Sequence, residues 1–136
     1  MSTPAGRFAA AAEALIGTPY RLGGRCRVSG VDCVGLVALA LEDSGRKVVA
    51  PVGYGLRNAT IAPFLQLAIR NGFFPAQRAV ERGDILLVAS GPGQSHLLVA
   101  LTHSAAVHAH AGLRRVARHD AMPAWPILHH WRLDAQ

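Results

Sequence analysis

The sequence predicts an α+β domain, helices first and an antiparallel sheet second, from three observations. Apolar residues fall at helical spacing in three stretches before Asn71. After Pro75 the pattern changes to short apolar runs separated by turn residues, at roughly ten-residue intervals that suit an antiparallel meander. The composition, 51% hydrophobic and 16% charged over 136 residues, is that of a folded chain with a core of ordinary size. No internal repeat, low-complexity linker or composition break divides the chain, so one domain over residues 1–136 is expected.

Thr3 followed by Pro4 is a helix cap and first-turn pair, and Phe8, Ala11, Ala12, Leu15 and Ile16 then share one face until Gly17. Residues 18–30 are rich in Gly, Pro and Arg and read as a loop. A second helix follows, apolar and uncharged from Val34 to Leu41, reaching about Asp43 with Gly45 as its stop. Gly45 to Arg57 reads as an irregular connection with a short extended piece at Val48-Val49. A third helix spans about Thr60 to Asn71, with Phe64, Leu67 and Ala68 on one face and Gly72 at its end. The strand candidates are Ile85–Val88 after the turn pair Gly83-Asp84, Leu97–Leu101 after Gly91-Pro92-Gly93, Ala105–His110, Leu113–Arg118 and Ile127–Leu133. The helices are expected to pack on one face of this sheet.

The second helix begins at a thiol. Asp32 is a good N-cap, which puts Cys33 at the first helical position. Unpaired N–H groups and the positive end of the helix dipole stabilise a thiolate there, the preparation a sulfur nucleophile needs. The competing reading is a small buried hydrophobe on a core helix. A thiol nucleophile also needs an imidazole, and the imidazole a polar group that fixes its tautomer. Of seven histidines, His129, His130 and His119 read as surface or rim residues, whereas His96 opens a strand and His108 lies in the next. Side chains alternate along strands, so an odd loop, of roughly three or five residues, puts His96 and His108 on one face as cross-strand neighbours. His110 has the same parity and competes with His108 for the third position.

The formal charge of +6 is carried mostly by scattered arginines. That balance suits an acidic partner, such as an anionic wall polymer. The absence of aromatic interleaving argues against nucleic acid. The first residues lack an ordinary secretory signal or a spanning segment, so synthesis in the cytoplasm without membrane insertion is expected. Cys26 and Cys33 do not make a disulfide scaffold. His108-Ala109-His110 with His96 offers three imidazoles to a metal, but no carboxylate stands beside them and Cys33 is left without a role. Neither a metal nor any other cofactor is expected. Asp84 reads as closing a turn, Cys26 as an incidental loop thiol, and Trp125 and Trp131 as core or rim aromatics.

Gly17-Thr18-Pro19-Tyr20-Arg21-Leu22-Gly23-Gly24, then Gly30-Val31-Asp32-Cys33-Val34-Gly35-Leu36-Val37, Arg82-Gly83-Asp84-Ile85-Leu86, Ser95-His96 and Val107-His108-Ala109 resemble, in order, the motifs of the NlpC family of papain-like cell-wall cysteine peptidases. The resemblance runs from about Gly17 to Gly112. It implies a papain-like fold with Cys33 as nucleophile, His96 as general base and His108 as the orienting group. It also implies Tyr20 and Asp32 beside the thiol at the substrate and oxyanion, and peptidoglycan stem peptides as substrate, often cut at a γ-D-glutamyl bond to a diamino acid. Two departures bear on substrate: Val34 stands where the family commonly has Ser, and His96-Leu97-Leu98-Val99-Ala100 lacks the family's glycine and tyrosine. An apolar residue after Cys33, without a signal or wall-binding domain, looks like the phage-encoded, tail-associated members. Tail proteins are then expected partners and the virion the expected location. A structural tail protein that keeps the fold without turnover is the alternative.

Overall fold

The computed structural model describes residues 3–49, 61–77, 79–122 and 124–133. Helix α1 spans Pro4–Ala14, and the Thr3 hydroxyl caps it by accepting the Gly6 N–H at 2.9 Å. Phe8, Ala9, Ala12 and Leu15 are buried, whereas Ile16 lies beyond the helix and is exposed, contrary to the face read from its spacing. The Arg-rich loop contains a small hairpin, β1 (Arg25–Cys26) paired with β2 (Gly30–Val31), too short to leave a periodic signal. Helix α2 spans Cys33–Asp43, as its cap predicts, and is buried along most of its length.

Val48 and Val49 form no strand. Instead the buried Asn71 supplies the pairing groups: its carboxamide accepts the Val49 N–H at 2.8 Å and donates to the Val49 carbonyl at 2.7 Å. The expected connection at residues 50–60, and the expected start of the third helix at Thr60, lie outside the described residues. Helix α3 spans Ala62–Arg70 and buries Phe64, Leu67 and Ala68.

Six strands follow: β3 (Phe73–Pro75), β4 (Ile85–Gly91), β5 (Gln94–Ala100), β6 (Ala106–His110), β7 (Arg115–His119) and β8 (Ile127–Leu133). Their order in the sheet is β3-β8-β4-β5-β6-β7, and all neighbours are antiparallel. Only β4 to β7 form the expected meander. β8 returns to the far side of β4, and β3, a strand without an alternating pattern of its own, completes that edge on β8. Leu97, Val99, Val107 and Val116 face the helices and build the main core, while Leu86, Val88, Leu98 and Ala106 form a smaller cluster on the other face under Val80, Met122 and Trp125. Among the described residues no helix is long and apolar enough to cross a membrane.

Asp84 does more than close a turn. One carboxylate oxygen accepts the Glu81 N–H at 2.9 Å, and the group also accepts from Arg132 at 2.9 Å and from His130 Nε2 at 2.6 Å, both on β8. Burial pushes this carboxyl up, but the hydrogen bonds from Arg132, His130 and Glu81 outweigh it and hold Asp84 below the ordinary carboxylate range. His130 is therefore a partner of a buried acid rather than a surface residue. His129 stacks on the buried Trp131 with ring centroids 5.1 Å apart.

Candidate active site

The start of α2 is fixed from two directions. Asp32 caps the helix by accepting the Gly35 N–H at 2.8 Å, and its other oxygen accepts the Gly23 N–H at 2.7 Å, which ties the Tyr20–Gly24 loop to the helix end. The loop comes so close that a Cβ on Gly35 would meet the Gly24 carbonyl oxygen at 1.9 Å. Only glycine permits this approach. With both oxygens on backbone donors, the 2%-exposed Asp32 fixes the position of Cys33 and the loop bearing Tyr20.

The histidines come from the sheet. An odd-length loop, Leu101–Ala105, joins β5 to β6, and the pairing of Val99 with Val107 and Ala100 with Ala106 makes His96 and His108 diagonal neighbours on one face. His96 Nε2 and His108 Nδ1 stand 2.7 Å apart. The parity argument is met, and the contact falls to His108 rather than to His110, whose Nδ1 accepts the Leu113 N–H at 3.0 Å. The β5–β6 ladder stops at the Val99–Val107 pair. Before it, the Leu97 N–H faces the Cys33 sulfur, with the N–H groups of Val34 and Cys33 at the helix start. The thiol from the helix layer and the imidazoles of β5 and β6 line the same cavity, next to the point where the ladder opens.

Tyr20, Asp32, Cys33, His96, His108 and Trp125 line one cavity of about 290 Å³. Trp125 packs edge-on against both imidazoles, with centroids 6.2 Å from each. It stands in a stretch without regular structure, so neither spacing nor periodicity marked it. Val34 is fully buried in the core and does not line the cavity, so the residue after the thiol acts on packing.

The electrostatics differ from those expected of a capped thiol. Burial pushes Cys33 up to about 12, Asp32 adds to it, and the N–H groups of Leu97, Val34 and Cys33 offset only part. Burial also lowers His96 to about 4, with His110 and His119 contributing, and His108 to about 3, with His96 contributing. The resting pair is therefore a neutral thiol and a neutral imidazole. Tyr20 is raised to about 12 by burial, then by Asp32 and Cys33, so its hydroxyl keeps its proton at neutral pH. Cys26 is exposed and lowered to about 7, first by the Ser29 backbone N–H.

One proton joins His96 to His108. A proton could be received at the other nitrogen of His96, Nδ1, only in the tautomer that leaves that atom bare, in which Nε2 carries the hydrogen and donates to His108 Nδ1. His108 then carries its own hydrogen on Nε2. His119, expected at the surface or rim, belongs to this face as well: Ala106 pairs with His119, which makes it a diagonal neighbour of His108, with ring centroids 4.4 Å apart.

Residues 17–126 match the model of the NlpC/P60 family. No curated protein matches the sequence. Among solved structures, NlpC2 from Trichomonas vaginalis is 15% identical with a TM-score of 0.70, over 97% of this chain and 47% of that protein. The NlpC/p60 domain of the peptidoglycan hydrolase SagA is 23% identical with a TM-score of 0.63, over 93% of this chain and 96% of that domain. The peptidoglycan hydrolase RipB from Mycobacterium tuberculosis is 18% identical with a TM-score of 0.65, over 98% and 65%. The chain thus spans less than half of the Trichomonas protein and nearly all of the SagA domain. At these identities the likeness is one of fold, a papain-like arrangement of helices on an antiparallel sheet.

Proposed function

The chain belongs to the NlpC/P60 family, and from that premise we propose that it is a cysteine peptidase of peptidoglycan stem peptides. The observation that carries the reading is a thiol at a helix start sharing a cavity with an imidazole whose far nitrogen is held by a second imidazole at 2.7 Å. Two of the structural neighbours are peptidoglycan hydrolases by name. The +6 charge suits an anionic wall.

The neutral resting pair sets the order of events. Cys33 Sγ attacks the amide carbon as its proton passes to His96 Nδ1, and the Cys33 N–H and the protonated Tyr20 hydroxyl, which lines the same cavity, serve as donors to the developing oxyanion. His96 then gives the proton to the leaving amine, and a thioester remains on Cys33. Water loses a proton to His96, adds to the thioester and releases the carboxylate product. His108 stays hydrogen-bonded to His96 throughout and keeps the Nδ1 of that ring toward the sulfur.

The finer reading is a γ-D-glutamyl bond to a diamino acid as the point of cleavage and delivery on a phage tail, with a single domain over 1–136. The bond is what the family resemblance implies, the tail reading draws on the apolar Val34 after Cys33, and the single domain on a sequence without repeat or composition break. The alternative of a tail protein without turnover calls for an obstructed cleft, whereas the cavity is bordered by the half-buried Tyr20 and the exposed Leu22 and Gly112. Digestion of purified peptidoglycan by wild type and Cys33→Ala, read by mass spectrometry, tests the reading. New peptide ends from wild type alone are expected, and their chemistry names the bond. No products from wild type would leave the structural role.

A further inference from the structure

Among the described residues, two buried side-chain polar atoms lack a hydrogen-bond partner, and both are imidazole nitrogens: His108 Nε2 and His119 Nε2. His108 is itself 2% exposed. Orphaned buried polar atoms are uncommon because each forfeits its hydration without replacement. With His110 these two residues form the one group, among those described, whose ligand atoms all lie within 4.8 Å of one another. The backbone builds the group: His108 and His110 are alternate residues of β6, and His119 is set diagonally on β7. His110 and His119 are half-buried and pack on each other and on His108, so the rings must turn in place for their nitrogens to converge on one ion.

We propose that His108, His110 and His119 bind one divalent transition-metal ion of the zinc class, and that filling this site switches the thiol off. Three neutral imidazoles are a competent zinc ligand set, with a further position left to water. The two orphaned nitrogens anchor the ion. His110 joins by giving up its hydrogen bond from the Leu113 N–H.

The switch follows from counting protons, and this part rests on the peptidase reading above. A metal on His108 Nε2 displaces the hydrogen that the productive tautomer carries there. A neutral His108 then holds its hydrogen on Nδ1 and donates it to His96 Nε2. His96 must now keep its own hydrogen on Nδ1, the nitrogen that has to receive the thiol proton. No proton is gained or lost overall, yet the base faces Cys33 with a hydrogen in place of a lone pair.

The test uses the whole chain with the exposed Cys26 changed to Ser, so that the loop thiol takes no metal. Zinc binding is measured by competition with a chromophoric chelator, and Cys33 alkylation by iodoacetamide is followed with and without zinc. One zinc per chain is expected, with unchanged affinity in Cys33→Ala. Even indirect partners of metal ligands are worth 10–100-fold in affinity, so His119→Gln is expected to weaken binding by about 100-fold. Zinc is expected to slow alkylation in the parent and not in His119→Gln, whose thermal melt verifies that it folds. His110→Gln, at a half-buried position, is a second variant and is expected to weaken binding less. No bound zinc, or binding that survives His119→Gln and is lost in Cys33→Ala, overturns the site. Zinc bound through the histidines without slower alkylation overturns the switch. Hydrolysis of peptidoglycan without added metal reports on the peptidase reading separately.

Discussion

At the scale of single residues, two opposed effects meet on Cys33. Backbone N–H groups at the helix start favour a thiolate, while burial and the neighbouring Asp32 disfavour one. Burial wins and holds the thiol at about 12 beside an imidazole at about 4. A raised thiol pKa means that the thiolate population grows only as pH rises. In the Cys26→Ser protein, iodoacetamide should therefore label Cys33 slowly at pH 7, and the rate should still be climbing at pH 9. A rate that is already high and level between pH 5 and 7 would mean a preformed thiolate–imidazolium pair and contradict the neutral one. Cys33 at the first helical position and a β6 histidine on the face of His96 were legible because a cap and a strand parity are local rules, whereas parity alone left His108 and His110 as equals. The pKa was not legible, because the burial that raises it comes from the sheet and loop closing around the sulfur. Trp125 and His119 escaped for the same reason: the first has no periodicity, and the second joins its face only once the β6–β7 register is known.

At the scale of elements, the sequence marked those with a cap, a helical spacing or an apolar run and missed those defined by their partners. Helices α1 and α2 follow from Thr3-Pro4 and Asp32. The β1–β2 hairpin and β3 are too short for a pattern, and the return of β8 to β4 depends on long-range pairing. Asp84 secures that return, with Arg132 and His130 of β8 converging on a carboxylate that is fully buried. Asp84→Asn leaves the Arg132 guanidinium with only the exposed Glu81 carboxylate as counter-charge and weakens the hydrogen bonds to β8, so a loss of about 2 kcal/mol at pH 7 is expected from urea unfolding. The folded pKa of Asp84 lies below its unfolded value, so this contribution is present at neutral pH and is lost as pH falls through the folded pKa. The gap between wild type and Asp84→Asn should accordingly narrow below about pH 4. An unchanged urea midpoint at pH 7 would remove Asp84 as the tie between the strands.

At the scale of the whole molecule, the helices carry the thiol and the sheet carries the imidazoles, and the packing of one layer on the other assembles the site. The order of helices and strands was enough to give the class of fold, because segregated periodicities permit few layered solutions. The Gly-rich loop, the Asp32-Cys33 block and the two histidine strands together pointed to the family, which the match over residues 17–126 establishes. The cavity itself was not legible, since its walls come from five separate parts of the chain, around Cys33, Phe64, His96, His108 and Trp125. On the proposed peptidase reading, a thioester forms on Cys33. The direct measurement is to mix the Cys26→Ser protein with a synthetic stem peptide, quench in acid within the first turnovers, and map the adduct by mass spectrometry of protein fragments. A thiol peptidase predicts the acyl half of the peptide on the fragment containing Cys33, and no adduct in Cys33→Ala. Peptide cleavage that continues in Cys33→Ala, with no acylated fragment at any time, would contradict it.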